Sequence, residues 1–399
     1  MHAIQAEHAF DGTRFLPGGA TVLLDGDRIV GVETGRVDLP DGVDVRKYTG
    51  TVLPGLIDCH THLVADATFG GLERAGTMSD EAVDEVIRDS LRAHAVAGVT
   101  TVRDLGDRDY RTLAFRDRAG LPRVVASGPP LTTPGGHCDF LGGAVDGDLR
   151  AAVAERAERG VDVIKVMASG GFATPGSDPL GAQFTSAELT AIVDEAHRVG
   201  LPVVAHAHSL LGMQNALAAG IDGIEHFSGN TAEGPRIDDD LLDEVARRGV
   251  YVDLTTGNDR TFHALMPAPP PQVAAIMAKL GVTNFDAFYA SQITMFGRLR
   301  EHGVAVVTGV DSGMGPMKRH GNAWRTVGEL VEGGYPVAEA LAAATSVAAE
   351  ACALAGEIGR LAEGYAADVL VVDGDLAQDP SLLSAPREVL VRGTAVDLT

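Results

Sequence analysis

The chain has 399 residues with 32 basic and 55 acidic side chains, a formal net charge of −23. That balance disfavours nucleic acid and anionic membranes as partners, since both are bound through Lys and Arg, and an apolar share of 45% argues against a disordered chain. No apolar run reaches the ~20 residues of a bilayer span, the opening MHAIQAEHAFDG carries no signal-peptide pattern, and Cys59, Cys138 and Cys352 have no CxxC spacing, so a cytoplasmic protein is expected.

Residues 1–53 read as short strands and turns. TVLLDGDRIVGVET places two apolar runs around Asp25 and Gly26, a hairpin signal. Between 54 and 352 the pattern changes. Eight Val/Ile-rich runs (TVLPGLID, GVTTVRDL, RVVASG, VDVIKVMASGG, PVVAHAHS, GIEHF, VYVDL and VAVVTGVDSG) alternate with helical stretches such as SDEAVDEVIRDSLRAHAVAG and TSAELTAIVDEAHRVG. Ser79 ahead of Asp80 and Glu81, and Ser186 ahead of Glu188, fit helix starts. Alternating strand and helix predicts parallel strands with right-handed crossovers, and eight such units predict an α/β fold of the (β/α)8 TIM-barrel type. No GxGxxG follows a strand, which speaks against a dinucleotide-binding open sheet. The stretch at about 255–300, with MPAPPPQ and the aromatics Phe285, Phe288, Tyr289 and Phe296, is predicted to be an insertion over the barrel mouth, a lid or an oligomer contact. A homo-oligomer is the default expectation. Residues 353–399 return to strands in ADVLVVDGDL and REVLVRGTAVDL.

The chemistry concentrates at strand ends. His60 and His62 sit at i and i+2 of the first run, so both imidazoles face one way while Cys59 and Thr61 face the other. Lys165 is one of four lysines and lies inside VDVIKVMAS. An ammonium in an apolar strand is costly unless it is paired or chemically changed. It can act as a Schiff-base nucleophile, or react with carbon dioxide to give an anionic carbamate able to bridge two cations. His206 and His208 form a second i, i+2 pair, His226 ends the sixth run and Asp311 the eighth. All lie near C-terminal strand ends, where barrel enzymes build active sites. Nitrogen and oxygen donors without thiolate suit zinc or manganese.

The order His-x-His, Lys, His, His, Asp along successive runs resembles the amidohydrolase superfamily of metal-dependent hydrolases, and more narrowly its imidazolonepropionase-like and metal-dependent prolidase branch. The phrases carrying the likeness are LPGLIDCHTHL, TPGGHCDF, IKVMASGG, FTSAELTAIVDEAHRVGLPVVAHAH, GIDGIEHFSG, TGVDSG and IGRLAEGYAADVLVVDGD. They cover nearly the whole chain and are weakest over 230–300. The resemblance implies that residues 353–399 return to complete a small β-sandwich with residues 1–53. It also implies a two-metal site, most simply two zinc ions. His60, His62 and Asp311 would hold one ion and His206 and His226 the other, with N6-carboxylated Lys165 bridging. His137, in GGHCDF, resembles a loop histidine that polarises the substrate carbonyl, and His208 would lie nearer the substrate. Two departures stand out: GVDSG replaces the more usual GTDSG, and Cys138 follows His137 where glycine is common.

The function so implied is hydrolysis of a C–N amide bond in a small molecule, an Xaa-Pro-like dipeptide or an N-acyl amino acid. A metal-activated water would be the nucleophile and Asp311 the proton shuttle. The alternatives are a cyclic amide or amidine hydrolase or deaminase, or a carbamate, ester or phosphotriester hydrolase at the same site. A Schiff-base aldolase would use Lys165 and leave the histidines idle. An inactive homologue would lack ligands, and every ligand is present. A substrate carboxylate calls for a cation or phenol at the mouth, for which Arg103, Tyr251 and Arg260 are the candidates.

Overall fold

The structure is a computed structural model that describes all residues except 117, 266–270, 281 and 283. Strand β1 (His2–Ala9) pairs antiparallel with β2 (Ala20–Asp25), which forms a hairpin with β3 (Arg28–Thr34). Gly26 and Asp27 turn between the paired Asp25 and Arg28, with Gly26 at φ 59. That left-handed conformation is open to glycine at no steric cost. Strand β4 (Asp44–Pro54) runs parallel to β1. Gly55 then separates it from β5 (Leu56–Thr61), and a Cβ there would stand 2.2 Å from the Thr100 side chain, so only glycine lets the chain pass.

Helices α1 (Gly71–Ala75) and α2 (Asp80–Val96) lead to β6 (Val99–Asp104), and β7 (Arg123–Ala126) completes a three-stranded parallel sheet in the order β5-β6-β7. Ser79 caps α2 by accepting from the Ala82 N–H, and Val83, Ile87, Leu91 and Ala95 form its buried stripe. Helix α3 (Leu149–Arg159) precedes β8 (Ile164–Met167), α4 (Ser186–Arg198) precedes β9 (Val203–His206), and α5 (Leu210–Ala219) precedes β10 (Gly223–Glu225). The cap of α4 is Thr185 rather than the expected Ser186, because Thr185 and Glu188 exchange bonds in a capping box. After the short ribbon β11 (Asn230–Thr231) and β12 (Gly234–Pro235), α6 (Asp239–Arg248) leads to β13 (Tyr251–Asp253), which closes a second parallel sheet in the order β13-β10-β9-β8.

Backbone hydrogen bonds tie the two sheets together on both sides. Leu131 N–H donates to Lys165 O and Met167 N–H to Leu131 O, both at 2.8 Å. On the other side Val307 N–H donates to Val252 O (3.1 Å), Cys59 N–H to Thr308 O (2.8 Å) and Asp311 N–H to His60 O (2.8 Å). The eighth run thus lies between β13 and β5, held by isolated bridges rather than a full ladder.

The 255–300 stretch differs in part from expectation. Helix α7 (Pro271–Lys279) is followed by α8 (Phe285–Glu301), and α8 occupies the crossover between β13 and the eighth run, with Tyr289, Phe296 and Leu299 buried. Phe296 packs edge-on against Tyr335, so this aromatic is core rather than lid. Most of the MPAPPPQ run lies outside the described residues. Helices α9 (Ala323–Glu332), α10 (Val337–Ala343) and α11 (Ser346–Ala351) lead to β14 (Val369–Val372), β15 (Pro386–Val391) and β16 (Thr394–Ala395). β14 pairs antiparallel with β4, Leu370 opposite Leu53, so both ends of the chain share one seven-stranded sheet, β16-β15-β14-β4-β1-β2-β3. Among the described residues no helix is long and apolar enough to cross a membrane.

Candidate active site

The strand ends converge. His60, His62 and Asp311 offer donor atoms that all lie within 4.8 Å of one another, and so do His206, His208 and His226. Asp311 Oδ1 is 3.2 Å from His62 Nε2 and 3.5 Å from His60 Nε2. The His60 and His226 rings are 5.4 Å apart, His206 and His226 4.5 Å, and His137 stands 4.5 Å from His206. Three residues just past their strands have left-handed backbone, His226 (φ 69), Thr255 (φ 49) and Asp311 (φ 60). Non-glycine residues in that region cluster where function demands a side-chain direction the relaxed chain would not take.

Each ring is aimed by a second contact. His62 Nδ1 is 3.0 Å from Gly106 O, His206 Nε2 3.2 Å from Gly170 O, His226 Nδ1 2.9 Å from Thr255 Oγ1 and His208 Nδ1 2.9 Å from Ser228 Oγ. His60 Nδ1 meets Glu225 Oε2 at 2.7 Å, which leaves its Nε2 toward Asp311. Such a carboxylate partner fixes the ring orientation of a metal-binding histidine. Arg103 completes this layer by donating to Glu225 Oε1, Cys59 O and Ala351 O. Burial works to raise the Glu225 carboxyl, but His60 and Arg103 outweigh it and hold it down to about 2. Burial pushes His60 down to about 4, and His137 likewise to about 4, so both rings are neutral near pH 7. Gly309 makes room for this arrangement, since a Cβ there would stand 2.1 Å from Asp253 Oδ2 and 2.8 Å from His60 Cβ.

Lys165 is 1% exposed, and its Nζ has no hydrogen-bond partner among the described residues. Burial lowers its pKa, against the pull of Glu225 and Asp311, and its charge reaches His60, His137, His206, His208 and His226. A bare ammonium gains nothing from a wall of imidazoles. An amine left without an acceptor beside two sets of metal-type donors is what a carbamate would resolve, so the donors and the orphaned Nζ together fit divalent cations.

Two expected substrate contacts are corrected. Tyr251 opens β13 opposite Gly223, three residues before His226, and packs against the buried cluster that includes Val204 and Ala348, at the strand end remote from the imidazoles. Arg103 is sealed beneath the site with its guanidinium committed to Glu225 and two carbonyls. Arg260 lies past β13, paired with Glu329 and stacked on Tyr289. Other residues of the site went unnoticed in the sequence. Asp58 accepts from the backbone N–H groups of His60 and Val310 and from the Ser312 hydroxyl, while burial pushes its carboxyl up to about 7. Lys318 Nζ donates to Thr255 O and Val310 O at 2.9 Å and lies 3.4 Å from Asp311 Oδ2. Asp58, Glu225 and Asp253 each interrupt an apolar run, the same signal that singled out Lys165.

An α/β fold with converging imidazoles, a buried lysine and a carboxylate at the strand ends defines a hydrolase of the metal-binding kind. The sequence model of the amidohydrolase family matches residues 51–396, and the chain belongs to that family. It is 29% identical over 424 residues to an imidazolonepropionase of Cereibacter sphaeroides (96% of this chain, 95% of the relative). To an ochratoxinase of Aspergillus niger it is 27% identical over 410 residues (92% and 80%). Among solved structures it is similar to a Xaa-Pro dipeptidase with methionine bound in the active site (TM-score 0.85, 26% identity, 99% of each chain). It is also similar to a prolidase complexed with N-methylphosphonate-L-proline (TM-score 0.82, 29% identity, 99% of each chain).

Proposed function

We propose that this enzyme hydrolyses the C–N amide bond of a small dipeptide-like substrate, of the Xaa-Pro type or an N-acyl amino acid, at a two-cation site. The observation that carries the reading is Lys165, whose buried and unpartnered Nζ lies within electrostatic reach of both donor sets. The likeness to the Xaa-Pro dipeptidase and the proline-phosphonate complex supports a dipeptide, while the imidazolonepropionase relative favours a cyclic amide as the second reading. We read the eight extended segments as a (β/α)8 barrel over 54–352, with 1–53 and 353–399 as a terminal β-sandwich domain.

His60, His62 and Asp311 would hold one divalent cation and His206 and His226 the other, zinc by donor chemistry, with Lys165 as its N6-carboxy derivative serving both. Bound there, the cations supply a water acidified toward neutrality and a Lewis acid for the carbonyl. Asp311 would take a proton from the attacking water on its carboxylate and return it to the leaving nitrogen. To accept that proton Asp311 must start ionised. Burial would raise its carboxyl, but Lys318, His60 and His62 hold it well below the usual range. Glu225 keeps His60 turned inward, His137 hydrogen-bonds the substrate carbonyl oxygen, and His208 lines the substrate side. Elemental analysis together with rates on dipeptides, N-acyl amino acids, lactones and cyclic amides tests the reading. Two equivalents of zinc and fastest turnover on Xaa-Pro substrates are expected. Activity that survives complete metal removal, or is confined to cyclic amides, would overturn it.

A further inference from the structure

The loop after β8 folds back on itself, Ser169 bridging to Ala182, and three of its residues build a seat for His137. Gln183 Oε1 accepts from the His137 backbone N–H at 2.6 Å, and the Gln183 amide is itself anchored on Thr132 Oγ1 and Met167 O. Gly171 forms the floor, because a Cβ there would stand 2.5 Å from Cε1 and Nε2 of the His137 ring. Thr174 Oγ1 lies 3.0 Å from His137 Nδ1 and accepts from the Cys138 backbone N–H at 2.9 Å.

Those contacts determine where the imidazole proton sits. The Thr174 hydroxyl is buried and has one hydrogen to give. One of its two lone pairs takes the Cys138 N–H, and of the two acceptors beside its hydrogen among the described residues, His137 Nδ1 and the Cys138 sulfur, the ring nitrogen is the stronger. If Nδ1 carried the proton, the hydroxyl hydrogen would be left in a buried site with only the weakly accepting sulfur, the costlier arrangement. We propose that Thr174 is a positioning residue that locks His137 as the Nε2–H tautomer, so that the ring presents a hydrogen-bond donor to a substrate carbonyl oxygen. Nε2 has no protein partner among the described residues, and the ring stands next to His206. Neutral imidazole in the other tautomer would point a lone pair at the carbonyl oxygen and repel it. The catalytic half of this inference rests on the amide-hydrolase reading above, whereas the tautomer itself does not.

The test uses zinc-loaded enzyme labelled with 15N-histidine, the His137 ring signals being assigned by their loss in His137→Gln. The parent is expected to show Nε2 protonated and Nδ1 bare. Thr174→Val keeps the shape of the side chain and removes the hydroxyl. With zinc content unchanged, it is expected to give a mixture of tautomers. Its kcat should fall on the order of 10- to 100-fold, less than the ~10²–10³ lost when an oxyanion donor is removed outright, with KM little changed. Thr174→Ser should restore both the signal and kcat. Gly171→Ala, which leaves Thr174 in place, should shift the ring signals by filling its seat. A His137 that stays wholly Nε2-protonated in Thr174→Val, or a parent with Nδ1 protonated, would overturn the inference. A parent inactive on every amide would sink the reaction reading alone, since the nitrogen shifts decide the tautomer independently.

Discussion

The His60, His62 and Asp311 set and the His206, His208 and His226 set sit at the same strand ends and are built on opposite principles. The first carries its own anion: Asp311 lies 3.2 Å from His62, and behind His60 stand Glu225 and Arg103. The second is all imidazole. Its rings are turned by a carbonyl and two hydroxyls, and burial drives the pKa of each downward. Neutral rings bind a cation through lone pairs but do not neutralise it, so the second set needs an anion from elsewhere. Lys165, buried and without a partner, is positioned to become that anion. The contrast teaches that only the imidazole set depends on an anion brought from outside it.

The strongest challenge to that contrast is Lys165→Ala. Removing the prospective anion should empty the imidazole set, so that bound metal and hydrolysis fall together toward background. Near-normal metal content in this variant would leave Lys165 without a bridging role. Asp311→Asn keeps the shape of the first set and removes its basic oxygen. Most of the metal should remain while kcat drops about 10²–10⁴-fold, the range for losing a general base, and a fully active variant would reject the proton-shuttle assignment. Glu225→Gln weakens the support behind His60 only. Zinc affinity of the first set, measured by chelator competition, should fall about 10–100-fold, and unchanged affinity would mean that Arg103 and Asp253 suffice.

The smallest effect concerns the back of β5. Thr61, between His60 and His62, meets both His94 and His320 at 3.3 Å. Burial pushes His320 down to about 4 and His94 well below the ordinary histidine value of 6.5. Between about pH 6.5 and 4 the unfolded chain therefore takes up protons that the folded rings refuse, so folding stability falls as pH decreases through that window. The metal-free protein should melt at lower temperature at pH 5 than at pH 7. His320→Gln should narrow the gap, and an equal gap in the variant would place the sensitivity elsewhere.

The elements most legible in the sequence are those whose signal is local. The alternation of a strand put His60 and His62 on one face and sent Cys59 to the other, where its Sγ lies 3.9 Å from that of Cys352. The cost of a charge in an apolar run marked Lys165, and the same rule applied to Glu225, Asp253 and Asp58 would have marked the second layer too. The turn at Gly26 was readable because glycine conformation is a property of a single position, whereas the break at Gly55 passed unread inside the run TVLPGLID. Tyr251 and Arg103 misled because residue type says what a side chain can bind, not which end of its strand it occupies relative to a distant imidazole.

Periodicity along the chain therefore determined which residues share a face, where the strands lie and that a cation has no ordinary place at 165. The tertiary structure alone decided that Glu225 turns His60 from 165 residues away, that Lys318 reaches Asp311, and that Thr174 meets His137 at Nδ1. These are pairings between elements. They depend on which segments hydrogen-bond as neighbours and in what register, and that is set by the closing of long loops around one shared core rather than by any local preference.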